Sequence, residues 1–459
     1  MQTFDRSIVD GPLPAAVWRL AWPTMLQNVI AGMQGIIDHA MVGHYVGYTA
    51  NAAIGVSWQI FIVVIVFIAS LYSGMGVLVA RFTGACEPQK VNRVVQQAFL
   101  TSIFLSVVLA IAGYVLSPYL LDVVRAAPDV KTAALPFLRT MFVGNVGLLV
   151  FFMLGGAFRA AGDARTPLLL GVTATVLNAA FNVLLIPRYG TFGAALGTVT
   201  ANLIVATAGN ALVLSGRFAI RVPRPLSVAP DWAIIRSIFR FGLPTGLQGI
   251  AMNVAGVFLL RFMGSLEHSA AAQAAYAVGY TQLFSLITWT SVGLMSAAAT
   301  IAGQNLGAGK PERSVAGAGV AARIGLGVAA VVGLAFVAVP STLLGVFGMR
   351  DAHVLEIGSE LLRYLTVSGF FVTVALVYNG ALQGSGDTKG PFYISVVSQI
   401  VVPLGFCAVM DAMHGLRSGD IWTAIVIGHV LRCTLGVLRF RQGKWRQIRV
   451  EIEAPRAGA

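Results

Sequence analysis

The chain has 459 residues, of which 57% are hydrophobic and only 11% charged, and its mean hydropathy is +0.80. So apolar a chain cannot be a soluble enzyme or binding domain, because its polar residues could not cover its surface. The net charge of +13 does not point to nucleic acid. Most of the Lys and Arg fall in short connections between apolar runs, where basic residues mark the cytoplasmic side of a membrane.

A hydrocarbon core of ~30 Å is crossed by roughly 20 apolar residues in a helix. Lipid offers the backbone no partners, so such runs must be helical. Twelve are predicted. The first covers about 19–46 and the second 57–79, joined by the short, uncharged GYTANAA. RFTGACEPQKVNR then brings three basic residues before a third span to about 116. SPYLLDVVRAAPDVK precedes a fourth, ending near 158. After the basic turn FRAAGDARTP, 168–186 and 192–214 make the fifth and sixth. The segment 215–240, rich in Arg and Pro, reads as a linker outside the membrane. The second half repeats the plan with spans at about 241–263 and 274–302, a ninth ending near 340, a tenth through 382, an eleventh ending near 410, and a twelfth at 421–438. The basic tail at 441–459 carries Trp445, as expected of a cytoplasmic segment lying against anionic lipid.

The halves match in detail. LAWPTMLQNVIAGMQGIIDHAMVG aligns with FGLPTGLQGIAMNVAGVFLLRFMG, placing Pro23 on Pro244 and Gly43 on Gly264. GGAFRAAGDARTP aligns with NGALQGSGDTKGP, pairing Gly162 and Asp163 with Gly386 and Asp387, and GACEPQK answers GAGKPER. Three matches at nearly one offset make coincidence a poor explanation. An even number of spans per half means a parallel repeat about an axis along the membrane normal. The expected architecture is all-α, with twelve helices in two six-helix lobes: 1–214, the linker 215–240, 241–440, and the tail 441–459. About 21 of the 31 Lys and Arg fall on one side when both termini are cytoplasmic, which fixes the expected orientation. The N-terminus is too polar for a cleaved secretory signal.

Asp38 lies inside the first apolar span. Arg19 is about 19 residues back, far out of reach at roughly 1.5 Å per residue. An ionisable group at that depth costs several kcal/mol unless it faces a wet cavity or a partner, so it marks a functional site; the competing reading is interhelical polar glue.

On LAWPTM, IIDHAMVG, GGAFRAAGDARTPL with its echo in the second half, and GQNLGAGKPE, the chain resembles the multidrug and toxic compound extrusion (MATE) transporters over nearly its whole length. The resemblance implies two six-helix lobes and cation-coupled export of organic, often cationic, compounds. It places Asp38 at the family's first-helix aspartate, joined by Asn178, Asn182 and Thr198. Asn178 and Asn182 are four apart and share a helix face. Neutral oxygens around one carboxylate suit a small hard cation or a protonated acid. Where one branch of the family has second-lobe acids, this chain has Met252, Asn253 and Val372; where some relatives carry a second acid in the fifth span it has Asn182. That leaves Asp38 as the clear intramembrane carboxylate and points to the DinF-like, first-lobe-coupled branch. Gln34, Asn145 and Asn253 are substrate-cavity candidates from depth alone.

The resulting expectation is an antiporter driven by H⁺, or alternatively Na⁺, exporting small amphipathic organic cations by alternating access. A monomer in the bacterial inner membrane is expected, with lipid and substrate as partners, and with no nucleic acid, cofactor or resident metal. Arg159, Asp163, Arg165 and their repeat partners Asp387 and Lys389 read as structural turn residues; Arg323 and Arg432 read as snorkelling or paired. Cys86, Cys407 and Cys433 show no disulfide framework. The six His form no metal-ligand pair, GAGKP lacks Walker spacing, and no GxSxG occurs, which disfavours an intramembrane enzyme. A lipid-linked saccharide flippase of the wider superfamily is the nearer alternative; its members carry more cationic cavities and often extra helices.

Overall fold

The computed structural model describes residues 6–215, 220 and 229–452, so the first five residues, part of the sequence-read linker and the end of the tail lie outside the described residues. Among the described residues there is no strand. The long helices are α1 (Leu13–Tyr45), α2 (Tyr48–Gly84), α3 (Pro88–Val123), α4 (Pro128–Val143), α5 (Asn145–Ala160), α6 (Arg165–Leu214), α7 (Trp232–Gly264), α8 (Ser269–Gly307), α9 (Pro311–Ala338), α10 (Ala352–Ser385), α11 (Lys389–His414) and α12 (Ser418–Arg441). Nine of the described helices are long and apolar enough to cross a membrane by themselves, or ten when α4 and α5, bent by 49°, form one span. The 50 residues of α6 would run ~75 Å if straight, far beyond one bilayer. It breaks at Gly190, with φ 57° and ψ −133°, between the expected fifth and sixth spans. With that break, and with the 33 residues of α1, the order of segments is consistent with twelve spans.

Local chemistry sets the ends. Pro88, Pro128 and Pro311 open their helices, where a missing N–H costs nothing. Asp163 accepts from the Arg165 and Thr166 N–H groups at 3.0 and 3.1 Å and so caps α6. Its repeat partner Asp387 accepts from the Gly390 N–H at 3.1 Å and from Arg439 Nε at 2.7 Å. Gly162 and Gly386, just ahead of these acids, take φ of 101° and 98°, a conformation that glycine adopts freely. The shared backbone shows the repeat in three dimensions as well as in sequence. Arg159, buried one turn earlier, donates to Tyr72 Oη at 3.2 Å and to Gln27 Oε1 at 2.8 Å.

The chain forms two compact units. One is built on Leu26–Gly246, the other on Ser7–Met25 with Leu247–Arg449. Each boundary falls within a helix, two or three residues past Pro23 in α1 and Pro244 in α7. α7 begins at Trp232, inside the segment read as a linker, behind Asp231, whose carboxylate accepts from the Ala233 N–H at 3.2 Å. In the first unit α7 lies directly on α2: a Cβ on Gly74 would sit 1.9 Å from the Ile238 carbonyl oxygen. In the second unit the opening of α1 lies on α8 at Gly293, where a Cβ would meet Met25 Cγ at 2.5 Å. The two contacts are repeat-related, since α1 corresponds to α7 and α2 to α8.

Phe61, Leu71, Met75 and Phe158 are buried in the first unit; Phe284, Ile287, Phe336, Leu361 and Trp422 in the second. Trp445 corrects a sequence expectation. It does not lie against lipid but is 1% exposed, stacked on Phe440 at 4.8 Å, with its indole N–H donating to the Phe440 carbonyl at 2.7 Å. The neighbouring Arg446 is held to Glu312 at 2.7 Å. An aromatic ring with an internal acceptor this close gains more by closing onto α12 than by floating at an interface.

Candidate functional site

The site forms in the first unit, where α1 meets both limbs of α6. Asp38 is half-buried; Asn178 and Asn182 are each 1% exposed. Four-residue spacing puts both amides on the face of α6 turned to α1. Asn182 Nδ2 donates to Asp38 Oδ1 at 2.7 Å. The Asn178 amide lies 3.0 Å from Asp38 Oδ1 on one side and 3.0 Å from Thr198 Oγ1 on the other; with its nitrogen toward the carboxylate it donates there and accepts from the hydroxyl. Thr198 enters from the second limb of α6, which the break at Gly190 returns alongside the first. Hydrogen bonds to an ionised carboxylate are about twice as strong as neutral ones, so this cluster holds Asp38 in place.

Gln34 sits one turn before Asp38 and joins the cluster through Thr175, which donates to Gln34 Oε1 at 2.9 Å. Sequence reasoning passed over Thr175, although its spacing of three from Asn178 puts it on the same face. Asn182 Oδ1 is buried without a hydrogen-bond partner. It lies under Gly197, where a Cβ would approach within 2.5 Å, so this glycine makes room for the amide.

Asn145 does not touch the carboxylate. It sits at the α4–α5 bend, donates to the Ser106 carbonyl at 3.1 Å, and leaves its Oδ1 unpartnered. With Thr198 and Asn202 it lines a cavity of about 10 Å³, about the room of one water, so the two groups are neighbours through Thr198. Asn253 is not part of this cluster. It belongs to the second unit, is exposed, and donates to the Gly249 carbonyl of its own helix at 2.9 Å. His39, next to Asp38 in sequence, makes its hydrogen bond to Asn51 of α2 at 2.7 Å and none to the carboxylate. No group of three His, Cys, Asp or Glu among the described residues could hold a metal ion.

Comparison with known proteins gives the arrangement its context. The MatE family model matches residues 23–184 and 244–409, one stretch per repeat, opening on Pro23 and Pro244. The chain is 26% identical to a probable multidrug resistance protein NorM of Thermotoga maritima, over 94% of this chain and 92% of that protein. It is 25% identical to the probable multidrug resistance protein YpnP of Bacillus subtilis, over 99% of this chain and 100% of that one. A solved outward-facing structure of a multidrug resistance MATE family transporter of the MOP superfamily superposes with a TM-score of 0.90 at 20% identity, covering 96% of this chain and 98% of that one. Matched in both repeats by the family model and from end to end by such relatives, the chain belongs to the MATE family of multidrug efflux transporters.

Proposed function

We propose that the chain is an H⁺-coupled antiporter of the DinF-like branch that exports small amphipathic organic cations by alternating access, with Asp38 as its coupling residue. The observation that carries this is the Asp38 carboxylate bonded to Asn182 and faced by Asn178 within the helical bundle of the first unit. Protonation and cation binding compete for one carboxylate, so a proton entering from outside releases a cation. The lone acceptor Asn182 Oδ1 beside it suits a site that gains and loses a proton. The amide N–H groups assigned toward the carboxylate support H⁺, because they satisfy a bare carboxylate, whereas Na⁺ would need oxygens turned inward in their place. Transport changes the location of the substrate and not its bonds, so no catalytic residue is assigned.

The deciding experiment is accumulation of a panel of cationic dyes in inverted vesicles, with H⁺ and Na⁺ gradients imposed separately. Uptake driven by the H⁺ gradient alone is expected; uptake driven by Na⁺ alone would reassign the coupling ion, and no uptake under either would reject the antiport reading. The double variant Asn178→Ala/Asn182→Ala loses two hydrogen bonds to a charged group, each worth ~1.5–3 kcal/mol, and its dye flux should fall at least about tenfold at equal expression. Asn253→Ala should stay within about twofold of the parent, as an exposed polar substitution away from the cluster. Equal flux in the double variant and the parent would reduce the amides to packing.

We further assign the protein to the bacterial inner membrane with both termini cytoplasmic. The exposed native thiol of Cys86, in the basic α2–α3 connection, reports on this without any added label site. A membrane-impermeant maleimide should label it in inverted vesicles and not in intact cells, with Cys86→Ser as the blank. Labelling in intact cells would reverse the topology.

A further inference from the structure

The second unit holds a buried cation that plays no part in the Asp38 cluster. Arg432 lies on α12, three residues from His429 and nine residues, roughly 14 Å, from the helix end at Arg441. Arg432 is 5% exposed and His429 2%. Snorkelling, one of the two sequence readings of this arginine, needs a path to water that a residue enclosed by protein does not have.

Pairing, the other reading, fails as well. No ion pair among the described residues involves Arg432, and three acids of the second unit are held by other cations: Asp387 by Arg439 at 2.7 Å, Glu312 by Arg446 at 2.7 Å, Asp10 by Lys310 at 2.6 Å. Asp420, on the same helix, accepts from the Arg417 N–H at 2.9 Å and lies about 18 Å back along α12. Arg432 Nε and His429 Nδ1 are both buried with no hydrogen-bond partner. A guanidinium removed from water costs several kcal/mol unless a negative charge or strong acceptors face it. No formal negative charge is paired with it here.

The surroundings form a wall. α8 presents Tyr276, Tyr280 and Phe284 on one face, around the wider helical turn Gly279–Leu283. Tyr276 stacks on Tyr280 at 4.9 Å, Tyr280 meets Phe284 at 5.4 Å, and Phe284 stacks on His429 at 5.9 Å. Tyr276 also lies parallel to Trp422 at 6.5 Å, so the stack follows α12 along its length. Phe284 therefore bridges Tyr280 to the turn of α12 that carries His429 and Arg432. The rings supply no formal negative charge, which leaves one fixed positive charge beside an unpartnered imidazole nitrogen.

We propose that Arg432, with His429 and Tyr280, is the binding site of a small monovalent anion inside the second unit, either a halide or a compact carboxylate. One fixed cation calls for one negative charge, and the enclosure by rings limits the ion to a few heavy atoms. The site is independent of Asp38 and of the coupling ion assigned above.

The test is thermal unfolding of the purified full-length protein in detergent, with chloride or acetate replacing gluconate at constant ionic strength. Gluconate, with six carbons and five hydroxyls, is too large to enter. A saturable rise in unfolding temperature is expected, because an ion that binds only the folded state stabilises it. Chloride alone acting identifies an inorganic ion, acetate alone a carboxylate, and both a site open to either. The rise should vanish in Arg432→Gln and in Arg432→Met, the latter replacing the buried charge with an apolar chain that suits a buried site. Tyr280→Phe, which deletes one hydroxyl and no charge, should raise the half-saturating concentration about tenfold. The proposal is overturned by no saturable effect on the parent protein, or by the same half-saturation in Tyr280→Phe and in whichever Arg432 variant can be purified.

Discussion

Purified Asp38→Asn in proteoliposomes is expected to fold and insert, and to show no dye efflux driven by a pH gradient above that of protein-free liposomes. The substitution is nearly isosteric, and the amides of Asn178 and Asn182 can still reach an oxygen at that position, 3.0 and 2.7 Å away in the parent. What is lost is the ability to exchange a proton for a cation. A ligand shifts a two-state equilibrium only by its differential affinity for the two states, so a site that stays neutral cannot transmit the gradient. Asp38→Glu moves the charge by one methylene and should keep part of the flux, because the half-buried position leaves room for the longer side chain. Full pH-driven efflux by Asp38→Asn would return Asp38 to the role of interhelical glue. The two Asn variants separate the chemistry from the scaffold: Asp38→Asn removes the charge and keeps the hydrogen-bonding shape, whereas Asn178→Ala/Asn182→Ala keeps the charge and removes the shape.

Much of this was legible from the chain. Depth and lack of a nearby cation singled out Asp38, and helical spacing put Asn178 and Asn182 on one face. The break between the fifth and sixth spans is visible in PRYGT, where Pro187 and Gly190 interrupt an apolar run. The repeat was legible from the offset between Pro23 and Pro244 and reappears in the matching φ of Gly162 and Gly386. Other features were hidden for physical reasons. A lone Arg among apolar residues has one sequence signature whether it snorkels, pairs or is entombed, so the isolation of Arg432 needed its neighbours in space. The burial of Trp445 depends on a chain reversal at Gly443, φ 72°, that composition does not encode. The membership of Ser7–Met25 in the second unit depends on which helix its face meets, and hydropathy reports depth and not partner.

The largest structural effect is expected at Gly242. On α7 the residues Ile238, Gly242 and Gly246 face Val66, Ser70 and Gly74 of α2, each row spaced by four, so the two helices meet along matching ridges. A Cβ at 242 would lie 1.8 Å from the Ser70 carbonyl oxygen and one at 246 would lie 2.6 Å from that of Val66. Small residues four apart let helix backbones touch, and in lipid that packing replaces the hydrophobic drive available in water. The spacing is readable in SLYSG and GLPTG, yet with 51 glycines in the chain it does not name its partner. Gly242→Ala should destabilise the first unit by about 3 kcal/mol or more, at the upper end of overpacking costs, and Gly242→Val should abolish recovery of monodisperse protein. Gly249→Ala is the matched control: same helix, same chemical change, with nothing within 4 Å of the added carbon. It should be neutral or stabilising by up to ~1 kcal/mol, because glycine is a poor helix former. Thermal unfolding and size-exclusion profiles in detergent report both, and equal behaviour of the two Ala variants would refute the close approach. A second-site substitution at Ser70 is not expected to rescue Gly242→Ala, because the atom in the way is a backbone oxygen that every residue carries.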